Sequence, residues 1–148
     1  MPLAATQITP APITPLQIAL VNATLPRLTC RPEQSAMAFR MHLARYAPTL
    51  TRSAPFSPVA LLSDAIAVID APDALLARVA PLAHTLRALG MSPRGYMALH
   101  AALMDMVSGH LAGDLEVEEA YSDVIGQILA TMLAEAHSPR ARAIPLVA

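Results

Sequence analysis

The sequence predicts an all-α fold of six to seven helices, and three observations lead to that prediction. Apolar residues recur at three- and four-residue spacing along most of the chain, which is the period of a helix packed on a core. No segment of strand length alternates apolar and polar residues. A hydroxyl residue followed by proline, which is typical of a helix start, occurs at Thr14-Pro15, Ser57-Pro58 and Ser92-Pro93.

Composition limits the kinds of protein that this chain can be. A chain of 148 residues is long enough for one domain with a single core, and that core must be aliphatic because aromatic residues make up only 3%. The net charge of −1 gives no general attraction to nucleic acid or to an anionic membrane. The apolar stretches are too short to span a bilayer, the start of the chain lacks a secretory signal pattern, and Cys30 has no disulfide partner. We therefore expect a cytoplasmic protein.

The chain begins with an uncharged, proline-containing segment over residues 1–13, which we expect to be a disordered arm. The first helix then starts at Thr14-Pro15. Pro26 should bend or end this helix, because a proline in a helix interior removes a hydrogen bond. The predicted inner face of the helix consists of Leu16, Ala19, Leu20, Ala23 and Thr24.

Two further helices are expected before the middle of the chain. The second starts near Pro32 and ends at Pro48, and the third runs from Pro58 to about Ile69. Residues 49–56 form the connection between them. The predicted inward residues are Ala36, Phe39, Leu43 and Tyr46 on the second helix, and Leu62, Ala65, Ile66 and Ile69 on the third.

Two helices joined by a tight corner form the centre of the predicted domain, between Leu75 and Leu111. Gly90 can adopt the left-handed conformation that ends a helix, and Ser92-Pro93 begins the next one. The apolar stripes of the two helices are Leu75, Val79, Leu82, Leu86 and Leu89, followed by Tyr96, Leu99, Leu103, Met106 and His110.

The last helix is expected to begin after Asp114. Its first turn carries Glu116, Glu118 and Glu119, and acidic side chains are stabilised there by the positive end of the helix dipole. Residues 139–148 are expected to form a flexible tail. The inner stripe of the helix is predicted to be Val117, Tyr121, Val124, Ile125, Ile128, Met132 and Ala136.

Three segments of the chain resemble a known family, the bacterial single-domain and flavohaemoglobin-type globins. Residues 18–28, IALVNATLPRL, resemble the first helix of that family, and residues 39–50, FRMHLARYAPTL, resemble its second helix and the corner after it. Residues 82–96, LAHTLRALGMSPRGY, resemble its proximal helix, the following corner and the start of the next helix. The resemblance covers residues 14–136, and it implies a globin-like domain over residues 14–138.

The residues that contact haem in that family are largely replaced in this chain. The family's proximal histidine lies about seven residues before the corner proline, and this position corresponds to Leu86 here. The family's distal tyrosine corresponds to Arg40, and the connections on both sides of the third helix are shorter than in typical members. We therefore expect a globin-like protein that has lost haem and acts as a sensor or protein-interaction module.

His84 carries the main alternative, which is a haem globin for O₂ or NO with this residue as the proximal ligand. Two helical positions turn by about 200°, so His84 faces nearly away from the core if Leu86 faces into it. A solvated surface histidine beside Ala80 and Arg87 is the competing interpretation. A third interpretation of the whole chain is an unrelated all-α bundle.

A slim apolar ligand such as an acyl chain is another expectation, if the slot between the third and fourth helices stays partly open. Arg40 is then the group that would meet the carboxylate of the ligand. The competing expectations are a close-packed interior and an Arg40 side chain with its head in water. The predicted pocket residues are Arg40, Leu62, Ile66, Leu86 and Tyr96.

No pattern in the sequence indicates an enzyme or a metal site. The five histidines lack zinc-ligand spacing, and the sequence has no nucleophile triad, phosphate-binding glycine loop or paired-carboxylate motif. With only 14% charged residues, some apolar helix surface should stay uncovered, and the last two helices are the expected site of a homodimer. A different protein partner is the alternative, whereas nucleic acid and membranes are not expected partners.

Overall fold

The computed structural model describes residues 13–48, 56–111 and 113–138, and these ranges contain six α-helices and no strand. The predicted all-α class is therefore confirmed. The helices are α1 (Pro15–Thr29), α2 (Pro32–Tyr46), α3 (Pro58–Ile66), α4 (Pro72–Ala88), α5 (Pro93–Leu111) and α6 (Leu115–Ala136).

Parts of several predictions lie outside the described residues. These parts are residues 1–12 of the expected arm, residues 49–55 of the expected connection and the expected tail over residues 139–148. Ile13, the last residue of the expected arm, packs against the core. None of the helices in the described part of the chain has the length and apolar character needed to cross a membrane.

The three helix starts marked by a hydroxyl residue and proline are confirmed. The hydroxyl of Thr14 accepts the Gln17 N–H at 3.1 Å, and the Gln17 side chain accepts the Thr14 N–H in return at 3.0 Å. The hydroxyls of Ser57 and Ser92 each accept a backbone N–H three residues later, at 3.3 and 3.2 Å. Each of these bonds satisfies an N–H that the first turn of a helix leaves free.

Glycine follows two of the helices at the places that the sequence predicts. Gly90 has a φ of +88° after α4, and Gly113 has a φ of +101° after α5. The Met91 N–H donates to the carbonyl of Leu86 at 2.9 Å and so closes the end of α4. Asp114 then caps α6, since its carboxylate accepts a first-turn N–H at 3.2 Å.

The longest helix, α6, is central to the packing. It contacts α1, α3, α4 and α5, whereas α2 packs on α5, and α3 also contacts α1, α2 and α4. The core is one continuous cluster with side chains from all six described helices. The predicted inner stripe of α6 is confirmed, and its buried residues are Val117, Tyr121, Val124, Ile125, Ile128, Met132 and Ala136.

The predicted inner face of α1 is wrong. Leu16 is 67% exposed, and the buried residues of this helix are Val21 and Leu28. Apolar residues occur on all sides of α1, so their spacing does not select a face, and packing against α6 decides it instead. Pro26 lies inside the helix and does not end it, because α1 continues to Thr29.

Three further details differ from the sequence predictions. The third helix ends at Ile66 rather than near Ile69, although Ile69 remains buried in the turn that follows. Leu89 is half exposed because it is the residue that caps the end of α4. Tyr46 is also half exposed, and its hydroxyl reaches across to Asp105 on α5.

Candidate functional site

Four of the five predicted pocket residues lie in the core. Leu62 and Ile66 come from α3, Leu86 from α4 and Tyr96 from α5, and all four side chains belong to the same buried apolar cluster. Leu86 is only 3% exposed, which confirms the prediction that its stripe faces inward. The four predicted pocket residues thus form part of a packed apolar interior.

Arg40, the fifth predicted pocket residue, lies on a different surface. It is exposed on the outer side of α2 and lines an open groove of about 480 Å³. None of the other four predicted residues lines this groove, so the structure does not bring Arg40 together with them. The groove is lined by Pro32, Glu33, Ala36, Met37, Arg40, Met41 and Ser57.

Tyr96 brings a polar atom into the apolar cluster. Its hydroxyl is buried and has no hydrogen-bond partner within the described ranges. Burial raises the pKa of Tyr96 to about 12, so the hydroxyl keeps its proton at neutral pH. A buried hydroxyl without a partner lowers the stability of the folded state by roughly 1–3 kcal/mol, so tyrosine is an unfavourable residue at position 96.

His84 connects α4 to α6. Its Nε2 lies 3.6 Å from Oε2 of Glu135, and the Glu135 side chain is only 5% exposed. His84 faces away from Leu86, as the helical spacing predicts. Its imidazole is not fully solvated, however, because it is half-buried against the neighbouring helix. The pair places a buried carboxylate next to an imidazole at the contact between two helices.

Glu135 is a buried residue that the sequence analysis does not identify. It follows Met132, a confirmed member of the inner stripe, by three positions, so the same periodicity places it on the inner face of α6. Because glutamate is rarely buried without a partner, a reader of the sequence would expect Glu135 to be exposed. The spacing from Met132 is the one feature of the sequence that indicates burial of Glu135. Its partner, His84, is identified only from the packing of α4 on α6.

A second polar cluster joins α2 to α5. The Tyr46 hydroxyl donates to Oδ2 of Asp105 at 2.7 Å, and Nδ1 of His42 lies 3.3 Å from the same oxygen. This hydrogen bond raises the pKa of Tyr46, because Asp105 stabilises the protonated hydroxyl. His42 and Tyr46 stand one turn apart on α2, and Asp105 lies 59 residues beyond Tyr46 in sequence. No local pattern could have found this cluster.

Two more histidines bond within the helix bundle. His100 Nε2 lies 3.1 Å from the carbonyl oxygen of Ser122 on α6. His110 Nδ1 lies 3.0 Å from the carbonyl oxygen of Met106, and its Nε2 lies 3.4 Å from the hydroxyl of Ser35 on α2. Among the described residues, no group of three or more His, Cys, Asp or Glu side chains could hold a metal ion.

These features define the class of the protein as an all-α domain in which polar side chains join neighbouring helices. No known protein-family model matches the chain, and no curated protein is similar to it in sequence.

Proposed function

We propose that this protein is a globin-like domain without haem, which acts as a sensor or protein-interaction module. The observation that carries the proposal is the environment of Leu86, at the position that corresponds to the family's proximal ligand. Leu86 has no atom that can ligate iron, and it belongs to the same buried cluster as Leu62 and Ile66. A buried leucine at this position favours a filled interior over a haem slot.

The residues around that position do not fit a haem as they are arranged. His84 lies two positions before Leu86, but its Nε2 faces the buried carboxylate of Glu135 at 3.6 Å. Arg40, which corresponds to the family's distal tyrosine, is exposed on the outer side of α2. The proximal and the distal positions of the family thus both lack a suitable group in this chain.

The packing of the helices supports the globin-like part of the proposal. Helices that are distant in sequence pack in pairs, with α2 on α5, α4 on α6 and α1 on α6. Pairwise packing of this kind around one interior is also how globins are built. The competing interpretation is an unrelated helical bundle. Such a bundle would also have a filled interior, but it would not account for the sequence resemblance to the globins.

Exposed apolar side chains support the interaction part of the proposal. Met37 and Met41 are 65% and 64% exposed, and both line the groove on α2 together with Arg40. Single exposed apolar residues are ordinary, whereas neighbouring ones in a groove favour a binding surface. Methionine suits such a surface because its unbranched side chain adapts to different partners.

Absorption spectroscopy after expression with added haem precursor tests the absence of haem. We expect no intense haem band near the violet end of the spectrum, and no haem mass by native mass spectrometry. A strong band that is lost in His84→Ala but kept in His137→Ala would overturn the proposal. His137 is a matched control because it is exposed at the end of α6. A co-purified fatty acid in the same mass spectrum would favour the expected apolar ligand instead.

A haem globin that uses His84 is the second candidate, and one observation favours it. Metal-ligating histidines commonly bond through their second ring nitrogen to a carboxylate, and His84 has the buried Glu135 beside it. In that case Glu135→Gln should weaken haem retention, and His84→Ala should abolish it. If the parent protein binds no haem under the same conditions, the second candidate is excluded and the first proposal stands.

A further inference from the structure

One side of α2 faces solvent, while the adjoining side packs on the core through Phe39 and Leu43. The solvent side is here named the α2 face. Together with Ser57 it forms the open groove of about 480 Å³. The residues of the α2 face are Pro32, Glu33, Ala36, Met37, Arg40 and Met41.

The α2 face is more apolar than a solvated helix side needs to be. Met37 and Met41 lie one turn apart, and about two thirds of each side chain is exposed. In the rest of the described chain, large exposed apolar side chains are scattered, with no more than one on any helix or helix end. The two methionines therefore form the kind of patch that marks a contact surface.

The α2 face also carries one charge of each sign. Glu33 and Arg40 are seven positions apart, which is two helical turns, so both lie on the same side of α2. Both are exposed, and neither forms an ion pair with another of the described residues. Both charges are thus available to a partner.

We propose that the α2 face binds a second copy of this chain, with the two α2 helices antiparallel about a two-fold axis that passes between Ala36 and Met37. In this arrangement Glu33 lies opposite the partner's Arg40, and the symmetry repeats the pair on the other side of the axis. Each dimer therefore has two ion pairs that flank an apolar centre. Charges arranged in this way fix the register and direction of a helix pair.

The same arrangement apposes the apolar residues of the face. Ala36 lies beside the partner's Ala36 on one side of the axis, and Met37 lies beside the partner's Met37 on the other side. The small side chain of Ala36 allows the helix axes to approach to about 8–10 Å, the usual distance of packed helices. A face whose apolar residues and opposite charges both match under two-fold rotation suits a copy of itself better than an unrelated partner.

This inference rests on the interaction part of the proposed function and not on the absence of haem. It moves the expected homodimer contact away from the last two helices, where Met97 and Leu115 are the large exposed apolar side chains of the described residues. A contact one helix wide buries less than the ~800 Å² per partner of a stable complex. We therefore expect weak and reversible association, visible at roughly 0.1–1 mM protein.

Sedimentation across that concentration range, with two charge-reversed variants, tests the arrangement. Glu33→Arg and Arg40→Glu each place like charges opposite one another twice, so each alone should associate about tenfold more weakly than the parent. An equimolar mixture of the two variants should recover association to within about threefold of the parent, because a mixed dimer restores attraction at both pairs. Recovery on mixing requires the two residues to meet between copies.

Matched substitutions separate the α2 face from other surfaces. Met37→Lys should abolish association, whereas Met97→Lys and the charge reversal Arg78→Glu, at exposed positions on α5 and α4, should leave it unchanged. A parent protein that stays monomeric at 1 mM, a mixture without recovery, or a loss confined to Met97→Lys would each overturn the proposal. If the parent is monomeric and its spectrum also lacks haem, the dimer is wrong and the proposed haem-free function still stands.

Discussion

The helices α6 and α2 use apolar residues in opposite ways within one small domain. α6 buries ten of its 22 residues and contacts four other helices. α2 buries three of its 15 residues and presents two methionines to solvent. An apolar side chain therefore contributes to folding in α6 and remains available for association in α2. Substitutions in the interior should change the free energy of unfolding, and substitutions on the α2 face should change self-association only.

The largest effect is expected in the interior, at Leu86. Leu86→Ala should lower the free energy of unfolding by roughly 2–5 kcal/mol, because it removes a buried side chain and leaves a cavity. Leu89→Ala is the matched control at the end of the same helix, where the side chain is half exposed, and it should cost less than about 1 kcal/mol. Chemical denaturation measures both values. Equal losses would show that Leu86 is not packed in the core.

The next largest effect concerns the buried carboxylate of Glu135. His84→Ala leaves that carboxylate without its neighbour and should cost roughly 1–3 kcal/mol. The double variant His84→Ala with Glu135→Met should recover most of this loss, because methionine is apolar and of similar length. Chemical denaturation of the parent, both single variants and the double variant gives the interaction energy. Losses that simply add would mean that the two side chains do not interact.

Two buried tyrosines should respond differently to the loss of the hydroxyl. The Tyr121 hydroxyl donates to the carbonyl of Val21 at 3.2 Å and accepts from the hydroxyl of Thr24 at 3.0 Å. Tyr121→Phe should therefore cost about 0.5–1.5 kcal/mol. Tyr96→Phe should instead stabilise the fold, by up to about 1–3 kcal/mol, since its hydroxyl is buried and has no partner in the described chain. Thermal and chemical denaturation measure both changes. A larger loss of stability in Tyr96→Phe than in Tyr121→Phe would contradict the prediction.

Tyr96 should also make the interior sensitive to alkali. Its pKa is raised from 10.0 to about 12, so between these values the unfolded chain loses the proton while the folded chain keeps it. The raised pKa therefore leaves the free energy of unfolding unchanged below pH 10 and lowers it as the pH rises from 10 through the folded-state pKa. Between about pH 8 and pH 11, Tyr96→Phe should lose about 1 kcal/mol less than the parent in urea titrations. An identical loss in both proteins would refute this role.

The smallest effect on folding is expected on the α2 face. Met37→Ser should change the free energy of unfolding by less than about 0.5 kcal/mol, because the side chain is already two thirds exposed. The same variant should weaken self-association in sedimentation experiments. If chemical denaturation showed a loss of stability above about 1 kcal/mol, Met37 would contribute to folding as the buried residues of α6 do, and the contrast between the two helices would be wrong.

The sequence predicts what depends on neighbouring residues. The helix starts at Thr14, Ser57 and Ser92 depend on local contacts, since each hydroxyl accepts a hydrogen bond from the N–H three residues later. The inner stripe of α6 is also predictable, because its apolar and polar sides differ clearly. The burial of Leu86 follows from the same kind of stripe on α4.

The sequence does not predict what depends on helix packing. The face of α1 is ambiguous because apolar residues surround it, and only its contact with α6 buries Val21. The pairing of His84 with Glu135, and that of Tyr46 with Asp105, join residues more than 50 positions apart. The exposure of Arg40 likewise depends on which side of α2 meets α5.

The prolines at the helix starts have a consequence for how this chain tolerates change. Five of the six described helices begin with proline, at Pro15, Pro32, Pro58, Pro72 and Pro93. A helix rarely extends backwards through proline, because the ring lacks an N–H and restricts the residue before it. A fixed helix start favours one rotational position of the following helix on the core, whatever the length of the connection before it. We therefore expect residues inserted into a connection ahead of the capping residue to leave the neighbours of the following side chains unchanged.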